Sequence, residues 1–133
     1  MPAFLSPEWI DALDRALSAD PAIARLSEHM DVTIEQEVTG GPHGDVTYHL
    51  AFRHGTAAVR PGPAGDPTVR LSQDYATAAA IATGEGSAQR AFMAGRLRVG
   101  GDLRVLLSHG DALTQVEDTF AAVRADTTVE PVA

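Results

Sequence analysis

The sequence predicts an α+β fold: a five-stranded, mostly antiparallel sheet with helices packed on one face. Three observations predict it. An amphipathic stripe follows Ser6-Pro7, the apolar period changes to two from Asp31 onward, and the stretch Ser87 to Leu107 reads helix, glycine stop, short alternating strand, glycine turn, second apolar helix.

The first helix begins with a serine cap and a first-turn proline, and Ile10, Leu13 and Leu17 then fall on one stripe that Trp9 widens. Asp11 and Arg15 make an acid-before-base pair one turn apart on another face. Pro21 starts a short second helix through Leu26. From Asp31, Val32, Ile34 and Val38 share a strand face opposite Thr33, Glu35 and Glu37, with Gln36 as the imperfect member of the apolar face. Glycine and proline at 40–44 make a turn, after which Val46, Tyr48, Leu50 and Phe52 alternate cleanly with Thr47, His49, Ala51 and Arg53.

His54-Gly55 is a two-residue reversal into a weaker strand around Ala57 to Arg60. The proline-rich run Pro61 to Pro67 is a surface loop leading to a fourth strand, Thr68 to Leu71, and the four strands are expected to form an antiparallel meander. Ser72 is expected to cap a helix containing Tyr75, Ala79 and Ile81 that ends at Gly84-Glu85-Gly86. Ser87 caps the next helix, Gly95 ends it, and Leu97 and Val99 take one face of a fifth strand while Arg96 and Arg98 take the other. Asp102 caps a further helix, and a last helix from Asp111 carries Leu113, Val116, Phe120 and Val123 on one stripe. A single domain over residues 1–126 with a tail at 127–133 accommodates all of this.

Composition excludes several chemistries. All ten basic residues are Arg, so there is no Schiff-base or P-loop lysine. Cysteine is absent, which removes disulfides, thiolate metal sites and thiol nucleophiles. A net charge of −8 opposes a nucleic-acid partner or an anionic membrane surface. No segment approaches the roughly 20 apolar residues of a membrane span, so stable membrane insertion is not expected. The amino-terminal run has no leader-like pattern, and a cytoplasmic location is the default. The Arg-, Ala- and Gly-rich composition without Lys or Asn points to a GC-rich bacterial genome.

Segment 68–107, TVRLSQDYATAAAIATGEGSAQRAFMAGRLRVGGDLRVLL, resembles the sterol carrier protein (nonspecific lipid-transfer, SCP2-like) family. The resemblance lies in the strand entering a capped helix, the glycine after that helix, the Ala91-Phe92-Met93 helix end, and Gly95-Arg96-Leu97-Arg98-Val99 followed by Gly101-Asp102. Where the family usually has a Gly-basic-apolar-Asp-Pro link between the two helices, this chain has Gly84-Glu85-Gly86-Ser87. The resemblance implies an apolar tunnel between sheet and helices for fatty acyl chains, acyl-coenzyme A, phospholipids or sterols, with binding or transfer and no catalysis. Its lining would be Ile81, Phe92, Met93, Leu97, Val99, Leu103, Leu106, Leu107, Val116 and Phe120, and Arg90, Arg96, Arg98 and Arg104 would be the head-group candidates.

The rival reading is a non-catalytic structural or interaction module with a filled core, which self-associates as a homodimer or docks on an enzyme. Neither reading requires a cofactor. His29, His43, His49, His54 and His109 form no metal-ligand spacing, so no metal site is expected. Ser108, His109 and Asp111 contain triad residue types as close sequence neighbours, a placement better suited to capping a helix end than to acyl hydrolysis. Gly84-Glu85-Gly86 lacks both the third glycine and the preceding strand of a dinucleotide fingerprint.

Overall fold

The computed structural model describes residues 4–42, 44–83, 86, 88–109 and 115. Its elements run α1 (Pro7–Ala19), α2 (Pro21–Leu26), β1 (Asp31–Gly41), β2 (Gly44–Arg53), β3 (Thr56–Pro61), β4 (Val69–Asp74), α3 (Tyr75–Thr83), α4 (Ala88–Met93), β5 (Leu97–Gly101) and α5 (Leu103–Ser108). Local chemistry accounts for the first boundaries. The Ser6 hydroxyl oxygen accepts from Trp9 N–H at 3.2 Å to open α1, and Asp20 Oδ1 accepts from Ala22 N–H at 2.9 Å to open α2. The Asp11–Arg15 pair forms at 3.1 Å between exposed side chains, a geometry that contributes a few tenths of a kcal/mol, about 0.3.

The five strands lie in the order β3-β2-β1-β4-β5. Three of the four pairings are antiparallel, as expected, and β1 with β4 is parallel. His54 and Gly55, at φ 49° and 89°, turn β2 into β3. Contrary to the expected meander, β4 does not continue from the β3 edge but crosses to the far side of β1. The proline-rich loop is long enough to make that crossing, and specific bonds hold it to the sheet. Ala64 N–H donates to Glu35 Oε1 at 3.0 Å, Gly62 O lies 2.9 Å from His49 Nδ1, and Thr68 N–H donates to Thr33 O at 2.9 Å. Glu35, on the strand face opposite the apolar one, is therefore only 15% exposed at its side chain and also pairs with Arg70 at 3.4 Å.

Registers place Ala57 and Val59 of β3, Tyr48, Leu50 and Phe52 of β2, Val32, Ile34 and Val38 of β1, Val69 and Leu71 of β4, and Leu97 and Val99 of β5 on one inner face. The helices cover this face: α1 and α2 pack on β3, α3 on β1 and β4, and α4 on β5. Trp9, Leu13 and Leu17 of α1 are 1%, 0% and 1% exposed, so the β3 end of the core is closed. The open edge of β3 is closed as well. Asp14 Oδ1 accepts from Val59 N–H at 2.8 Å and from Arg60 Nη1 at 3.0 Å, and the Ser18 hydroxyl donates to Ala57 O at 2.9 Å, so α1 occupies one backbone donor and one backbone acceptor that would otherwise template another strand.

A second correction concerns the entry to α3. Ser72 is a strand residue whose hydroxyl donates to Glu37 Oε1 at 3.1 Å, and Asp74 caps the helix by accepting from Thr77 N–H at 2.8 Å. The strand runs past Ser72 because β4 keeps pairing with β1 as far as Thr39↔Asp74 and with β5 as far as Gln73↔Leu97. The Ser87 cap, the helix expected from Asp111 and the tail at 127–133 lie outside the described residues. Within that stretch only Gln115 is described; its side-chain amide donates to Asp20 Oδ2 at 3.0 Å.

Candidate functional site

Closure of the inner face weakens toward β5. Leu71, Val99 and Ile81 are half-buried, whereas the inner residues of β2, from Tyr48 to Phe52, are buried. Leu97 is buried and pairs in register with Gln73, and Val99 pairs with Leu71. Two large apolar side chains of α4, Phe92 at 47% and Met93 at 78%, stand exposed beside this end of the sheet.

The exposure of Phe92 and Met93 has a local cause. Gly95, at φ +76°, ends α4 in a Schellman turn in which Arg96 N–H donates to Ala91 O at 2.8 Å and Gly95 N–H to Phe92 O at 3.1 Å. The stop comes after only six helical residues and leaves Ala91 as the buried side chain of that turn. Phe92 and Met93 take the remaining directions. On the far side of the turn, Leu97 and Val99 point inward and Arg98 outward, as the alternation of the sequence predicts.

Arg90, Arg96, Arg98 and Arg104 are all exposed. Arg98 pairs in register with Ser72 on the outer face of the edge strand, and Arg104 Nε lies 3.5 Å from Asp102 Oδ1, beside the cap whose same oxygen accepts from Arg104 N–H at 3.0 Å. Arg96 lies near Asp74 and helps to hold its carboxyl below the ordinary range. Leu103, Leu106 and Leu107 belong to α5, but their side chains are outside the described set, and Val116 and Phe120 lie outside the described residues altogether.

Two residues of this face are missing from the sequence-based lining. Leu71 reads in the sequence only as the end of a strand, and Gln73 sits in a polar run, Ser72-Gln73-Asp74, that resembles a helix entry. Gln73 nevertheless faces inward, and its Nε2 donates to Gln36 Oε1 at 3.1 Å. Period-two continuation from Val69 through Leu71 to Gln73 is the signal that could have found it. Tyr48 packs edge-on against Trp9, with ring centroids 5.8 Å apart, and burial pushes its phenol far above its usual pKa. It remains a neutral phenol at physiological pH.

Asp74 is the group that joins β4 to α3. Its carboxyl is held below the usual aspartate range by hydrogen bonds from the Thr77 hydroxyl and then from Thr77 N–H, with burial opposing and Arg96 assisting. A depressed folded pKa means that the stabilisation is complete above the unfolded value and fades as pH falls through that value toward the folded one. Asp74→Ala is therefore expected to cost about 1 kcal/mol near neutral pH. Thermal melts of both proteins should show the gap narrowing as the pH is taken to about 3; a gap that widens on acidification would contradict the capping role.

A family model, the SCP-2 sterol transfer family, matches residues 10–114. The chain belongs to the SCP-2 sterol transfer family. The matched span runs from the first turn of α1 through all five strands and beyond α5. No curated protein matches the chain. Among solved structures, the crystal structure of sterol carrier protein 2 superposes with a TM-score of 0.74 at 20% identity, covering 89% of this chain and 97% of that one. A conserved hypothetical protein from Thermus thermophilus, described as possibly a sterol carrier protein, gives 0.74 at 20% identity over 92% of this chain and 91% of that one. Palmitated SCP2L2 from Aedes aegypti gives 0.58 at 14% identity over 86% and 94%. At these identities the likeness is one of fold, and the sterol-carrier fold is the mixed, mostly antiparallel sheet with helices described above. No described helix is long and apolar enough to cross a membrane.

Proposed function

We propose that this SCP-2 family domain is a non-catalytic, cytoplasmic carrier that holds a fatty acyl chain, acyl-coenzyme A or a similar elongated apolar ligand between the β4–β5 end of the sheet and the helices above it. The observation that carries the reading is the closure gradient: a sealed core under α1, and half-buried Leu71, Ile81 and Val99 leading to exposed Phe92 and Met93. Large exposed apolar side chains at the rim of a partly covered apolar face are a costly arrangement unless something covers them. Membership in a lipid-transfer family and the palmitated state of the Aedes aegypti neighbour support an acyl occupant. Ser108 and His109 fit here as the last helical residue and C-cap of α5, without a chemical role.

The energetics are adequate. Each methylene removed from water contributes about 0.8 kcal/mol, so roughly fifteen apolar carbons, contributing about 12 kcal/mol, offset an association cost of about 4 kcal/mol and reach about micromolar affinity. Met93 suits a rim that meets chains of different shape, since its unbranched thioether adapts to its neighbour. The test is displacement of a fluorescent fatty acid by palmitate. Saturable displacement with one site per chain is the expected result, and its absence would favour the filled interaction module.

A further inference from the structure

The inner face carries one polar interruption, and it lies at the incompletely closed end. Gln36 and Gln73 meet there through the bond from Gln73 Nε2 to Gln36 Oε1 at 3.1 Å. Their register neighbours are apolar or aromatic: Gln36 lies between Tyr48 and Leu71, and Gln73 between Val38 and Leu97. Among the described residues, Gln73 Oε1 is the buried side-chain oxygen that accepts no hydrogen bond. Buried polar groups are nearly always satisfied, because an amide stripped of water without a partner loses stability.

Leu or Met at either position would suit a purely hydrocarbon wall. An amide pair with one unused oxygen suits an occupant that brings its own polar group. Turning both amides by half a rotation preserves their mutual bond and changes the free group from an acceptor into a donor. A hydroxyl donates and accepts, so it satisfies the pair in either orientation.

We propose that Gln36 and Gln73 form a hydroxyl-recognition point for a hydroxylated acyl ligand, so that the domain prefers a chain bearing a hydroxyl where it passes β4 over the same chain without one. This rests on the acyl-binding reading above. Gln73 Oε1 is already buried and unpaired without a ligand, so a chain lacking the hydroxyl leaves it so, whereas a hydroxylated chain supplies the missing bond, and that gain gives the discrimination.

The experiment uses the full chain, a fluorescent fatty acid as reporter, and palmitate against a positional series of monohydroxypalmitates as competitors. At least one position is expected to compete about tenfold better than palmitate, the factor expected from one buried hydrogen bond. In Gln73→Met, which nearly conserves volume, that preference is expected to fall to within about twofold, each hydroxylated chain being compared with palmitate on the same variant. Gln36→Met provides a second route to the same loss should the first variant fold poorly. If palmitate displaces the reporter but no hydroxylated chain does better, or if a folded variant keeps the preference, the hydroxyl proposal is overturned and the acyl-carrier reading stands. If no competitor displaces the reporter, the carrier reading falls and this proposal falls with it.

Discussion

Trp9→Ala is expected to lower the unfolding free energy by about 3–5 kcal/mol, a large share of what a domain of this size possesses. Trp9 is 1% exposed and is the centre of an aromatic cluster. Its ring meets Phe4 at 4.9 Å and 88° and Tyr48 at 5.8 Å and 84°, both edge-on. Phe4 in turn lies 5.8 Å from Tyr75 at the start of α3, so the cluster ties α1 to the inner sheet face and to the helix beside the proposed ligand. Truncation leaves a void that rigid neighbours on β2 cannot fill. Urea unfolding followed by circular dichroism is the suitable measurement, because Trp9 is the sole tryptophan and fluorescence would vanish with it. A shift of less than about 1 kcal/mol would mean that the cluster is not the clamp described.

Gly101→Ala is expected to cost about 3 kcal/mol or more, and to do so by a different route. Gly101 sits at φ +92°, and a methyl group there would run into the backbone of Thr68 and lie 3.1 Å from Val69 Cα. Backbone atoms cannot swing aside as a side-chain tip can. The same segment carries the Val69↔Gly101 register pair and the bond from Asp102 N–H to Thr68 O at 3.1 Å, so relief requires the end of β5 to leave β4. Gly95→Ala is the internal control. At φ +76° it is also left-handed, but a methyl would meet nothing within 4 Å, and its cost should be about 1–2 kcal/mol. Equal losses at the two glycines, measured by thermal melts, would refute the close approach at β4–β5. Weakened acyl binding should accompany the Gly101 variant, since Leu97 and Val99 move with the strand.

What can be seen in advance follows the range of the interactions involved. Ser6, Pro7 and Pro21 announce α1 and α2 because caps act within a turn, and His54-Gly55 announces its hairpin for the same reason. The Gly95 stop and the alternation through Leu97 and Val99 are equally local. The placement of β4 is not. Its parallel pairing depends on Glu35 and Thr33 holding the crossover loop through Ala64 and Thr68, contacts separated by about thirty residues that no period reveals. Without that pairing, β4 reads too short, the helix cap falls to Ser72 in place of Asp74, and the inward face of Gln73 stays hidden.

The candidate site is legible in part. Leu97 and Val99 stand out because alternation gives a face, and Ile81 is half-buried on α3. Phe92 and Met93, expected in the lining, stand exposed at its rim, because the Schellman turn directs Ala91 inward in their place. Charge alone groups the arginines, whereas the pleat sends Arg98 to the outer face of the sheet. How closely an apolar face is covered depends on the packing of separate elements, and neither hydrophobicity nor period encodes it.

The central claim is that the β4–β5 end of the inner face receives an acyl chain. Titration of the isotopically labelled full chain with palmitate, followed by amide NMR, tests it most directly. Saturable shifts are expected at Leu71, Gln73, Leu97 and Val99 and along α4 at Phe92 and Met93, with the α1-covered residues Leu50 and Val59 little changed. Shifts confined to the outer face or to α1, or no saturable shift at any palmitate concentration below micelle formation, would contradict it.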